Sequence, residues 1–237
     1  MAITLSEFVL AEIVLNPQAS AIFSTLNQFP LRWGMSVADT LERVAALGAT
    51  EIVSFTPFMP DGKCTLKNVL AGGPCADHIR EAQRIKDKNR AFGGAMFDKA
   101  KVFRQRITSQ AAKRKFATIE EAITCLPSFQ SMVADWISNG STRQVQVSDP
   151  QKLYEVAIGN NQHLRRLFLS ILYHLLAWSR AWSNQKWNFD PSSTRDDWAD
   201  MTLPLYAEDG DVILTADNKL RTALQVIEPS GAVTVQA

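Results

Sequence analysis

The run from Leu167 to Trp178 is the most apolar stretch of the chain, twelve residues long, interrupted by His174 and flanked by Arg165, Arg166 and Arg180. A bilayer core of about 30 Å needs about 20 apolar residues in a helix, so this run is too short to cross one. It belongs inside a protein core. Leu164, Leu167, Phe168, Ile171, Leu172, Leu175, Trp178 and Trp182 recur at helical spacing in the run and on either side of it. The whole segment Leu153 to Trp187 therefore predicts one long amphipathic or mostly buried helix. Such a helix must be enclosed by other elements, and 237 residues suffice for one sizeable core, or for one core carrying a large insertion.

Composition narrows the class without naming an activity. A formal net charge of +1 points to no partner in bulk. Six Trp and twelve Phe argue against disorder or low complexity. Three cysteines are too few and odd for a disulfide framework, which fits a reducing cytoplasm. The apolar N-terminus lacks a basic leader and carries Glu7 and Glu12, the opposite of a signal peptide. The expectation is a soluble cytoplasmic protein with no membrane segment.

Three zones differ in texture. In the first, to about Asp61, a strand-like Ala2–Leu5 leads to Ser6, placed to cap a helix carrying Val9, Leu10, Ile13 and Val14. Asn16-Pro17 ends that helix. Further helices are predicted over Gln18–Gln28 and Val37–Leu47, and an extended segment over Glu51–Phe58. The middle zone, about 64–188, is helical by pattern, with breaks at Gly72-Gly73-Pro74, Gly93-Gly94, Pro127 and Ser138–Pro150. The last zone predicts a helix from the acids near Asp196 to Ala207 and a strand over Asp211–Thr215. Asp217 follows at the strand's carboxyl end, then a helix over Asn218–Leu224 and a short strand over Gln225–Glu228. This is α/β grammar with parallel crossovers.

Sites in α/β sheets gather outside the carboxyl ends of strands, where Asp217 falls. Asp196 and Asp200, four apart, share a helix face, a like-charge arrangement that a divalent cation would relieve. Glu12 lies one to two turns into the first helix. Carboxylates from two helices and a strand end suit a hard cation such as Mg²⁺ or Mn²⁺. The same acids also fit plain structural roles, Asp196 and Asp197 as first-turn residues and Glu12 as a solvated one.

The segment Leu5-Ser6-Glu7-Phe8-Val9-Leu10-Ala11-Glu12 resembles the strand-and-helix motif of PIN-domain nucleases. Asp200-Met201-Thr202-Leu203-Pro204-Leu205-Tyr206, followed by Gly210–Lys219 with Thr215-Ala216-Asp217, resembles that family's C-terminal half. The resemblance covers about 15 residues at one end and 40 at the other. It implies a three-layer parallel α/β sheet, helix-rich, in a single domain over 1–237 with a helical insertion at about 64–188. It implies metal-binding acids at Glu12, Asp196, Asp200 and Asp217, of which Glu12, Asp200 and Asp217 would be catalytic, and an orienting Thr215. The family's first strand, with its Asp, has no counterpart before Glu12. Pro204 falls inside the predicted helix and implies a kink or a later start. The implied activity is metal-dependent cleavage of RNA phosphodiesters. The alternatives are a truncated or inactive nuclease, or a non-catalytic RNA-binding or protein-interaction module that kept the fold. A protein inhibitor belongs to the same implication.

The near-neutral total hides a basic segment. His78–Phe116 holds twelve Lys and Arg against three Asp and Glu. Arg84, Lys88, Arg90, Lys101, Arg104, Arg106, Lys113 and Arg114 are its candidate phosphate contacts, interleaved with Phe92, Phe97, Phe103 and Phe116. A solvated helix face with its Phe residues in the core fits equally well. Cys64, Cys75, His78 and Cys125 match no zinc spacing and read as buried thiols beside a histidine. His163, His174 and Trp178, Trp182, Trp187 and Trp198 read as structural.

Overall fold

Ser6 ends a strand and starts a helix in one residue, and that junction sets the first layer of the fold. In the computed structural model, residues 3–59, 69, 73–110, 114–139, 154–183, 201–214, 217–231 and 233–236 are described. In chain order they form β1 (Ile3–Ser6), α1 (Glu7–Val14), α2 (Ala19–Leu26), β2 (Leu31–Gly34), α3 (Val37–Ala45) and α4 (Ala49–Val53). Then come α5 (Ala76–Gln110), α6 (Ile119–Cys125), α7 (Pro127–Asn139), a π-helical turn (Glu155–Asn160) and α8 (Gln162–Trp178). A 3₁₀ turn (Leu203–Tyr206), β3 (Val212–Leu214), α9 (Asn218–Ile227) and β4 (Thr234–Gln236) complete the order. The chain divides into two units, Met1–Thr40 with Thr56–Gly93 and Leu41–Phe55 with Gly94–Ala237. Helices α3 and α5 contribute residues to both.

In the first unit the Ser6 side chain accepts a hydrogen bond from the Val9 N–H at 3.2 Å, as its position before the apolar repeat predicts. Asn16-Pro17 stops α1, and α2 carries the chain back so that β2 lies parallel to β1, with Ile3 opposite Leu31 and Ser6 opposite Gly34. The far side of β2 is met by residues 57–59, through Met35 N–H to Pro57 O and Met59 N–H to Trp33 O. Leu5, Leu10, Val14, Phe23 and Trp33 pack with Val69, Ala82 and Ile85 into this unit's core.

The second unit is built around α8. Fifteen of its seventeen residues are buried, so it is enclosed on every side rather than along one stripe. The π turn, α6, the 3₁₀ turn and α9 pack against it. Strand β3 pairs in parallel with β4 across α9, with Val212 opposite Thr234. The described strands thus form two parallel pairs in a helix-rich α/β protein. Among the described residues no helix is long and apolar enough to cross a membrane.

Five local expectations are corrected. Glu51–Phe58 is not extended at its start: Glu51 Oε2 accepts the Gly48 N–H at 2.7 Å and opens the short helix α4. Gly93-Gly94 does not break α5, because burial of Ala82, Ile85, Ala100, Phe103 and Ile107 along the helix outweighs roughly 1 kcal/mol per glycine. The long helix expected from Leu153 is interrupted at Asn161, whose backbone is extended. Its Oδ1 caps α8 at Leu164 N–H, 2.9 Å, while its Nδ2 donates to Ile52 O and Phe55 O at the end of α4, 2.7 and 2.8 Å. Pro204 is accommodated in the 3₁₀ turn, where its missing N–H is not needed. Gln225–Ile227 is the last turn of α9, not a strand, since Leu220, Ala223, Leu224 and Ile227 bury one helical face.

Gly94 gives a direct test of the helix through the glycine pair. A Cβ there meets nothing within 4 Å. Gly94→Ala is expected to stabilise the protein by about 1 kcal/mol in urea unfolding; a loss of stability would mean that the helix is broken at this point.

Candidate functional site

Of the acids expected to converge, Glu12 and Asp217 fall among the described residues, and each has a local contact of its own. Glu12 is on the exposed side of α1, and its Oε1 lies 3.3 Å from the Lys86 Nζ of α5. Both side chains keep solvent contact, so the pair contributes at most about 1 kcal/mol. Asp217 stands just past the carboxyl end of β3, where the strand order places it, and is the N-cap of α9. Its Oδ1 accepts the Lys219 N–H at 2.6 Å. Asp196, Asp200 and Thr215 lie outside the described residues. Among the described residues no three His, Cys, Asp or Glu side chains form a group able to hold a metal ion. The donor chemistry of Asp217 and Glu12, anionic oxygen, nevertheless suits Mg²⁺ or Mn²⁺.

The basic segment is largely neutralised by its own neighbours. On α5, Arg84 pairs with Glu81 at 2.6 Å, Lys88 with Asp39 at 2.8 Å and Lys101 with Asp98 at 3.2 Å. Beyond α5, Arg114 pairs with Glu121 at 2.7 Å. Arg104 lies 4.4 Å from the Trp178 ring centre, and Trp178 in turn stacks on Phe97 at 5.4 Å. Arg90 and Arg106 make no ion pair among the described residues, and Lys113 lies outside them. Phe103 and Phe116 are buried, so these aromatics serve the core rather than a stacking surface.

The smaller expectations divide. His163 donates from Nδ1 to the Leu205 carbonyl at 2.9 Å and His174 to that of Ser170 at 2.7 Å, both buried and structural. Trp178 and Trp182 are buried too, whereas Trp187 and Trp198 lie outside the described residues. Cys75 is not buried: it is exposed, with its Sγ 3.2 Å from His78 Nδ1, because it precedes α5 at its exposed N-terminal end. Cys125 is half-buried and Cys64 lies outside the described residues.

Sequence reasoning missed a second polar cluster, at the carboxyl ends of β1 and β2. Glu7 follows β1, and Asp39 follows β2. The Ser36 Oγ donates to Asp39 Oδ2 at 2.6 Å and accepts the Asp39 N–H at 3.1 Å. Lys88 closes on Asp39 from α5. Glu7 is pushed above the ordinary carboxylate range, first by burial and then by the charge of Asp39. The signal lay in Ser36-x-x-Asp39 directly after a short strand, a capping pattern that also marks a strand's carboxyl end.

Comparison with protein families, with characterised proteins and with solved structures finds no match for this chain.

The raised position of Glu7 has a defined consequence for stability. The unfolded chain releases this proton at lower pH than the folded one, so folding loses stability as pH rises from the unfolded value, about 4.3, through the folded one. Glu7→Gln is expected to be more stable than the parent at pH 7 in urea titrations, with the advantage gone below about pH 4. Equal stability at both pH values would show that burial does not penalise the Glu7 charge.

Proposed function

We propose that this chain is a PIN-like metal-dependent phosphodiesterase acting on RNA in the cytoplasm, its strands belonging to a three-layer sheet. The observation that supports this reading is the position of Asp217, past the carboxyl end of a parallel strand and at the N-terminus of α9. Parallel α/β proteins place their chemistry there. Asp217, with Asp196, Asp200 and Glu12, would hold Mg²⁺ or Mn²⁺ through carboxylate oxygens, and Thr215 would orient them. Held there, such an ion would supply positive charge for activating water and for stabilising the leaving oxygen. The Lys219 N–H bond holds Asp217 in one orientation before any ligand arrives, which lowers the entropy lost on binding. Arg90, Arg104 and Arg106, together with Arg84, Lys88, Lys101, Lys113 and Arg114 where their carboxylate partners are exchanged for phosphate, would hold the strand without sequence preference. An inhibitory protein partner is part of the same proposal, through the family resemblance alone.

A second reading, a non-catalytic RNA-binding or protein-interaction module, is favoured by the Glu12–Lys86 pair. That contact gives Glu12 a cation from the chain itself.

Two substitutions at one position separate capping from chemistry. Asparagine caps a helix about as well as aspartate, whereas alanine forfeits about 1 kcal/mol. Asp217→Asn is expected to keep its stability and lose cleavage of labelled single-stranded RNA in Mn²⁺. Asp217→Ala should lose both. Cleavage unchanged in Asp217→Asn would overturn the catalytic role. A parent protein that neither cleaves nor gains melting temperature in millimolar Mn²⁺ would leave the binding module. For binding, the logarithm of affinity should fall with the logarithm of salt by about 0.7 per phosphate contacted.

A further inference from the structure

The second half of α5 and the helix α7, both in the second unit, border an open cleft of about 420 Å³. That volume lies in the range of small-ligand sites, about 300–1,000 Å³. Helix α5 lines it with Lys99, Val102 and Arg106, which share one face at spacings of three and four. Helix α7 faces them with Ser131, Met132 and Asp135. Val102 is 51% exposed, so an apolar side chain is presented to the cleft between two cations.

The charges are unevenly committed. Lys99 Nζ lies 3.8 Å from Asp135 Oδ2, a long contact between side chains that both keep water. Exposed pairs of this kind contribute about 0–1 kcal/mol and rearrange readily. Arg106 has no carboxylate partner among the described residues. Its guanidinium offers a planar fork of donors suited to two oxygens of a phosphate at once. Asp135 accepts hydrogen bonds only, and Ser131 both gives and accepts them.

We infer that this cleft binds a nucleoside 5′-phosphate, free or within an RNA strand. Arg106 and Lys99 take the phosphate, Val102 and Met132 cover a face of the sugar and base, and Asp135 and Ser131 meet the base edge. Because Asp135 is an acceptor, bases carrying an exocyclic amino group are preferred over uracil. The RNA form of the inference rests on the proposed function; the nucleotide form does not.

The test uses the full chain with a fluorescent oligoadenylate, followed by anisotropy, and with AMP, CMP and UMP in equilibrium dialysis. Arg106→Gln removes the phosphate fork, and Val102→Glu places a negative charge in the cleft. Both positions are exposed, and thermal melts confirm that each variant folds; if Val102→Glu does not, Arg106→Gln carries the test alone. The expected result is that AMP and CMP bind and displace the oligonucleotide, UMP binds more weakly, and each variant weakens binding about tenfold, as loss of a charge-assisted contact implies. Mononucleotide binding that the variants weaken, without RNA binding, supports the cleft and overturns the RNA reading. RNA binding unchanged in both variants, with no mononucleotide bound, overturns the cleft and leaves the RNA reading standing. No binding of either overturns both.

Discussion

A single guanidinium organises the second unit. Arg166 is 2% exposed, inside α8, fifteen of whose seventeen residues are buried. Its Nε donates to Glu228 Oε1 at 2.8 Å, one terminal nitrogen to the Ala207 carbonyl at 2.6 Å and the other to Asp209 Oδ1 at 2.5 Å. Removing such a charge from water costs several kcal/mol unless its donors are satisfied, and here they are. The partners lie on either side of β3 and α9: Ala207 and Asp209 precede the strand, and Glu228 ends the helix. Arg166 therefore clamps both ends of the segment that carries Asp217. One turn earlier on the same face, His163 holds Leu205, extending the clamp to the 3₁₀ turn.

Local neutralisation is the common rule for the charges elsewhere. Glu12, Asp39, Glu81, Asp98 and Glu121 each meet a cation of α5 or its sequel. Glu7 is the exception in its balance: it is half-buried, and burial with the charges of Asp39 and Glu81 outweighs the nearby Lys88 and Arg84. A helix rich in Lys and Arg is thus an ion-paired face over much of its length. Its cations without an ion pair are few: Arg104 lies over the Trp178 ring, and Arg90 and Arg106 make no ion pair among the described residues.

What was legible in the sequence was local. Ser6 before an apolar repeat, Asn16-Pro17 after it and Asp217 after a β-branched run all specify structure through neighbours, and all three lie where their spacing puts them. What was not legible depends on partners far along the chain. Asn161 ends one segment and caps another because its amide reaches Ile52 and Phe55, more than a hundred residues away. Arg166 reads in sequence as one of three arginines flanking an apolar run, yet Arg165 beside it faces water while Arg166 is enclosed. The glycine pair in α5 carries a strong local signal for a break, and tertiary burial on both sides overrides it. The expected metal-binding acids fall between these cases: Glu12 and Asp217 are placed by local rules, whereas their convergence would be a long-range property.

The clamp is tested most directly by a double-mutant cycle between Arg166 and Glu228, using Arg166→Met, Glu228→Gln and the pair, with stability measured by urea unfolding. A buried charge left without its partner is expected to lose about 3–5 kcal/mol. Each single variant should therefore be strongly destabilised, and the double variant should recover part of the loss, with a coupling above about 1.5 kcal/mol. Single losses that add to within about 0.5 kcal/mol would contradict the account: Arg166 would then be packed in the core without holding the β3–α9 segment to α8.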